Sequence, residues 1–183
     1  MILDIRLNGI KHTLLELDKP APLTDIIKRT TINKSLILTI KINHQEYVNE
    51  DYAPDRETLI DCLTYSHPEG YRIYQDSTIF IMAKALYTLM GTEHSLVIEH
   101  SIADGVFCEV FNSQNFTEED CSRLKNEMQN IVNSDLPIEK IVVKTDEALD
   151  IFSSMGRKDV LKNLKYHYQE NVEIYRCGKY YDS

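Results

Sequence analysis

The sequence predicts an α+β fold in two parts, on three observations. Asn8-Gly9 stands between two runs of alternating polarity, Ile2 to Leu7 and Lys11 to Leu17. A long apolar segment, Ser77 to Met90, follows the punctuation His67-Pro68-Glu69-Gly70, and later β-rich runs flank Asp104-Gly105 and Cys177-Gly178. The 183 residues are enough to bury a sizeable core, and 43% hydrophobic with 27% charged residues is an ordinary globular composition.

Asn-Gly adopts the positive φ angles of a two-residue type I′ turn, so the first two runs form a hairpin. After Pro20 and Pro22, Leu23, Ile26 and Ile27 share a helical face over Leu23 to Arg29, with Thr24 or Asp25 supplying the first-turn cap. Ser35 to Asn43 and Thr58 to Thr64 are rich in β-branched and aliphatic residues and read as strands. The order β-β-α-β-β favours a small mixed sheet crossed by one helix, similar to a ubiquitin-like roll. The Pro-Gly punctuation gives domains 1–66 and 67–183.

In the second part, Ser77 to Met90 is apolar nearly all round, which predicts a buried helix with Asp76 before it and Gly91 ending it. Ser95 to Glu99 and Val106 to Phe111 form a hairpin through Asp104-Gly105. Thr117, followed by Glu118, Glu119 and Asp120 and preceded by Phe116, opens a helix to about Asn133. Pro137 to Lys144 is a strand, Thr145-Asp146-Glu147 caps a helix to about Ser154, and Gly156 breaks it before a further turn near Leu161. Val172 to Arg176 and Lys179 to Asp182 are the last strands.

A net charge of -9 disfavours a nonspecific phosphate-backbone binder, whose strength comes from lysine and arginine. Arg157, Lys158, Lys162 and Lys165, with His167 beyond, read as a solvated helix face. No apolar stretch reaches the ~20 residues of a membrane span, and MILDIRLNG lacks signal-peptide character, so a cytoplasmic location is the default. Cys62, Cys108, Cys121 and Cys177 form no CxxC and read as buried free thiols. His94 and His100 lack the spacing of a zinc site, so no metal is expected.

Four phrases in order carry a resemblance: His67 to Gly70 leading into the apolar helix, Leu96 to Val110 (LVIEHSIADGVFCEV), Phe116 to Asp120 with Leu136 to Glu139, and Val172 to Asp182. Together they resemble the N-terminal region of threonyl-tRNA synthetases, a TGS domain of β-grasp fold followed by the second additional domain (SAD) that edits mischarged tRNA. The resemblance implies an HxxxH pair at the start of the first SAD helix, and here Asp76 and Phe80 stand in its place. Asp182 matches an aspartate just before the family's cysteine, and Lys158 or a neighbouring position matches a lysine of the editing site. The phrases IEHSIADG and YRCGKYYD are more similar to bacterial uridine-kinase-like proteins, in which such domains precede a P-loop kinase. With six glycines and no GxxxxGK[ST], this sequence holds no phosphate loop of its own, so ATP and magnesium are expected only in a C-terminal part of a longer parent protein, beside a kinase or synthetase core.

Hydrolysing an aminoacyl ester needs a positioned water, a proton acceptor and oxyanion stabilisation, none of which phenylalanine supplies. Asp76 is a candidate base, or else an N-cap of the helix behind it. His100 and Lys158 are the other catalytic candidates, and Ser77, Phe80, Glu99, Asp104 and Asp182 complete a candidate ligand cleft. The eleven tyrosines, among them Tyr71, Tyr74, Tyr166, Tyr168, Tyr175, Tyr180 and Tyr181, read as amphipathic packing or as stacking surfaces for an unpaired nucleic acid. The expectation is a noncatalytic regulatory or ligand-binding module, with RNA or a nucleotide as partner. The alternative is an aminoacyl-tRNA editing deacylase, or a fragment of a threonyl-tRNA synthetase, with an altered site.

Overall fold

Asn8 and Gly9 both take positive φ, 53° and 81°, and turn β1 (Ile2–Leu7) back on β2 (Ile10–Glu16). This is the geometry the Asn-Gly pair predicts. The computed structural model describes residues 1–48, 51–102, 105–111, 116–164 and 169–183. They divide into two compact units, Met1–Asp76 and Ser77–Ser183.

The first unit is a β-grasp-like sheet. β3 (Ile37–Ile42), β4 (Glu46–Val48) and β5 (Thr58–Thr64) join the hairpin in the order β2-β1-β5-β3-β4, with β5 parallel to β1. The turn residue Asn8 also fastens the end of β5. Its Oδ1 accepts the Thr64 N–H at 2.8 Å and its Nδ2 donates to the Thr64 hydroxyl at 2.9 Å, while the buried Asp61 accepts the Gly9 N–H at 2.9 Å. α1 (Leu23–Ile27) buries Leu23, Ile26 and Ile27 against Leu3, Ile5, Ile40, Ile42, Ile60 and Cys62. Its cap is Pro22 rather than Thr24 or Asp25. Proline has no N–H to satisfy and its φ of -64° is set by the ring, and Asp25 instead accepts from Lys28 at 3.0 Å.

α2 (Pro68–Met90) begins well ahead of Ser77. Pro68 takes the first helical position, where a missing N–H costs nothing. His67 is the cap: its carbonyl accepts the Tyr71 N–H at 2.8 Å and its Nδ1 accepts the Glu69 N–H at 3.2 Å. Asp76 is therefore an exposed mid-helix residue and not a cap, since interior N–H groups already have carbonyl partners one turn back. Gly70 is buried against the end of β5, and a Cβ there would collide with the Thr64 carbonyl. Gly70→Ala is expected to destabilise the first unit by roughly 2 kcal/mol, read as a lower urea midpoint. A wild-type midpoint would refute the close approach.

The second unit packs α2 residues Ala85 and Leu86 with Leu124 and Ile131 of α3 (Glu118–Asn133). Of the apolar run, these two α2 residues are buried and most others are half-exposed, so the helix is not enclosed on all sides. β6 (Ser95–Ile102) and β7 (Gly105–Phe111) pair antiparallel, with an irregularity between Ile98 and His100. Asp104 lies outside the described residues, as do Lys165, Tyr166, His167 and Tyr168. Thr117 caps α3 in a reciprocal box: its hydroxyl accepts the Asp120 N–H, and Asp120 accepts the Thr117 N–H.

β8 (Glu139–Lys144), β9 (Asn171–Cys177) and β10 (Tyr180–Asp182) form a sheet in the order β10-β9-β8. α4 (Thr145–Ser154) and α5 (Lys158–Leu164) bury Ala148, Phe152, Val160 and Leu164 with Val172 and Ile174. Thr145 is the first helical residue of α4 and not its cap, because its hydroxyl is drawn to the Gln169 carbonyl at 2.6 Å. All four cysteines are free. Cys62 and Cys177 are buried, but Cys108 is half-buried and Cys121 exposed on α3, so only two fit the buried-thiol expectation. Among the described residues no helix is long and apolar enough to cross a membrane.

Candidate ligand cavity in the second unit

A cavity of about 250 Å³ opens in the second unit, with an apolar wall from Ile79, Ala83 and Leu86 of α2 and Leu96 and Ile98 of β6. Its polar corner is built by a backbone reversal. Gly156 takes φ 72° and ends α4, and the Arg157 N–H donates to the Phe152 carbonyl, which turns the arginine inward. The Arg157 side chain is only 14% exposed, so it is not part of a solvated basic face. Lys158 and Lys162, beside it in sequence, are exposed.

Arg157 holds the corner together. Its Nε donates to Asp159 Oδ1 at 3.0 Å, its Nη2 to Asp159 Oδ2 at 2.8 Å and Asp182 Oδ1 at 3.0 Å, and its Nη1 to the Tyr180 hydroxyl at 2.9 Å. Tyr180 in turn donates to Asp182 Oδ2 at 2.8 Å. Burial works against the Arg157 charge, but the hydrogen bond to Asp159 and the attraction of Tyr180, Asp182 and Asp159 outweigh it, so the guanidinium stays charged well above its ordinary range. Burial would raise the Asp159 carboxyl, yet the Arg157 hydrogen bond and charge hold it below the usual value. Burial, followed by the Asp182 charge, pushes the Tyr180 phenol up, and Arg157 offsets this only in part. One arginine facing two carboxylates leaves the corner with a net negative charge.

Phe80 packs edge-on against the Tyr180 ring with centroids 5.4 Å apart, and Tyr87 lies tilted on that ring at 5.4 Å. His94 also lines the cavity. Its Nδ1 lies 3.2 Å from the Met90 carbonyl, which can only accept, so Nδ1 donates this bond.

Of the residues singled out from sequence, Asp182 lines the cavity and Phe80 packs on its Tyr180. Asp76, His100 and Lys158 are exposed and none lines it. Ser77 is half-buried, Glu99 is exposed on β6, and His100 lies over Phe107 at 5.4 Å. Arg157, Asp159, Tyr180 and His94 are the residues that sequence reasoning did not assign to the site. The available signal was an arginine directly after a helix-ending glycine, two residues before an aspartate.

The β-grasp-like sheet followed by an α/β unit defines the class, an α+β chain consistent with the N-terminal domains of threonyl-tRNA synthetases. The sequence comparisons agree. The chain is similar to the N-terminal TGS and editing region of threonine–tRNA ligases. It is 27% identical over 176 residues to the threonine–tRNA ligase of Nitratidesulfovibrio vulgaris, which takes in 95% of this chain and 27% of that protein. It is 33% identical over 131 residues to the enzyme of Thermotoga neapolitana (70% and 20%), and 30% identical over 143 residues to that of Fusobacterium nucleatum (74% and 22%). The chain thus spans about a quarter of the length of these curated relatives. No family model matches it.

Proposed function

We propose that this chain is a noncatalytic ligand- or RNA-binding module derived from a tRNA-editing fold. The carrying observation is the chemistry of the polar corner. Phe80, at the position where the resemblance implies the second editing histidine, packs edge-on against Tyr180, and Asp182 is already held by Arg157 and Tyr180. Both oxygens of that carboxylate are already engaged, and the phenylalanine ring packed beside it supplies no proton acceptor of its own. What the cavity retains is an apolar wall and a few oriented polar groups, the make-up of a binding site for a small molecule.

The finer assignment, to the front part of a uridine-kinase-like protein with its ATP and magnesium site in a further domain, rests on the phrases IEHSIADG and YRCGKYYD. Incubating the chain with serine-charged threonine tRNA tests the noncatalytic reading. The deacylation rate is expected to match the uncatalysed rate, and clear turnover that disappears on Asp76→Ala would sink the proposal and favour the altered-site deacylase.

A further inference from the structure

We propose that Lys84 and Cys177 are an oxidation-driven cross-linking pair that fastens α2 to the β9–β10 turn. Lys84 Nζ lies 3.1 Å from Cys177 Sγ and 3.1 Å from the Cys177 carbonyl oxygen. Two acceptors on one residue therefore fix the amine against the sulfur. The same sulfur lies 3.9 Å from the Leu136 carbonyl, so its surroundings are polar, unlike the apolar sites of inert buried thiols. Cys177 itself is only 1% exposed. The next residue, Gly178, is exposed with φ 62°, and a Cβ built there would sit 3.9 Å from Lys84 Nζ. The pair thus lies directly beneath the Gly178-Lys179 turn, where Gly178 presents no side chain and only Leu136 approaches from the other side.

The chemistry balances with hydrogen peroxide as oxidant. The Cys177 thiol takes one oxygen from the peroxide, giving a sulfenic acid and releasing water. The Lys84 amine in its free form then attacks that sulfur, the S–O bond breaks, the oxygen leaves as a second water, and an S–N bond remains. The net change in the protein is the loss of two hydrogen atoms. Burial decides between products. Further oxidation to sulfinic acid needs a second peroxide to reach the sulfur, whereas the amine is already in place.

The other three cysteines serve as internal contrasts. Burial, followed by the charge of Asp61, pushes the Cys62 thiol up to about 12, and burial raises Cys108 as well. Cys121 is exposed. Cys108 Sγ turns instead to the Val106 carbonyl at 3.7 Å. Because α2 and β10 both border the cavity, the link would fix two of its walls relative to each other. The proposal is independent of whether the cavity catalyses or only binds.

The test is dilute hydrogen peroxide on the full chain carrying Cys121→Ser, which prevents disulfides between copies, followed by intact mass and peptide mapping. The expected result is a mass lower by two hydrogens, with a joined peptide containing Lys84 and Cys177 that a thiol reductant separates. The tie spans 93 residues of chain, so the oxidised protein is also expected to melt at a higher temperature. With Lys84→Met the joined peptide should disappear. The proposal is overturned if Cys177 stays a thiol under conditions that oxidise Cys108, or ends as a sulfinic acid with Lys84 present.

Discussion

Arg157→Met is expected to destabilise the second unit by about 3 kcal/mol, the scale of removing one partner from a largely buried ion pair. The methionine keeps the apolar stem, so the loss isolates the guanidinium. Asp182, 20% exposed, would lose its counter-charge, and the Tyr180 hydroxyl would lose its donor. Asp159 contributes less because its side chain is 47% exposed and water replaces part of what it loses. Urea denaturation followed by near-ultraviolet circular dichroism of the tyrosines reads the effect. Lys158→Met, at the neighbouring exposed position, should stay within about 0.5 kcal/mol of wild type. Equal losses at 157 and 158 would mean that the inward-turned arginine does not hold the corner.

The pH dependence of this difference has a definite sign. The folded Asp159 carboxyl sits below its ordinary value of 3.8. A depressed carboxyl contributes stability that is present above the unfolded value and is lost as pH falls through the folded one. The gap between wild type and Arg157→Met should therefore narrow as the solution is taken below pH 3.8 and through the lower folded value of Asp159.

Alkali is expected to weaken the first unit by up to about 4 kcal/mol between pH 9 and 12, through Cys62. Its folded thiol is raised from 9.0 to about 12, first by burial and then by the Asp61 charge. A raised group contributes stability that is complete below the unfolded value and is lost as pH rises through the folded one. Denaturation midpoints of wild type and Cys62→Ala across this range check the prediction. The alanine variant should be weaker at pH 8 because of the small cavity, and should lose less as the pH climbs. Parallel curves would show that Cys62 ionises without cost in the folded sheet.

Local signals with a single physical cause were readable in the sequence. Asn8-Gly9 needs no tertiary partner to turn, and Thr117 with Asp120 closes its own box within four residues. The start of α2 was harder to read because two residues competed for it. Asp76 has the better capping side chain, but Pro68 and His67 sit where β5 ends, and Gly70 lets the helix approach the Thr64 carbonyl. That choice depends on a contact outside the helix. Arg157 fails as a sequence signal for a similar reason. Its neighbours Lys158 and Lys162 are exposed, and only the left-handed Gly156 and the distant Tyr180 and Asp182 make it an inward residue. Lys84 lies in an apolar run that reads as core, and the partner that gives it meaning is 93 residues away.

The parallel pairing of β1 with β5 has a consequence for how the chain is made. Leu3 to Leu7 align with Thr58 to Cys62, and Asn8 is fastened to Thr64, so the centre of the first sheet joins these residues to ones synthesised more than fifty positions later. The β1–β2 hairpin can form as soon as it leaves the ribosome, but its apolar face, with Leu3 and Ile5, has no strand to rest on until β5 emerges. During that interval the nascent chain carries an open strand edge. Slowing translation before β5 has emerged from the ribosome should therefore lengthen the period of aggregation risk, whereas a pause once it has emerged should not.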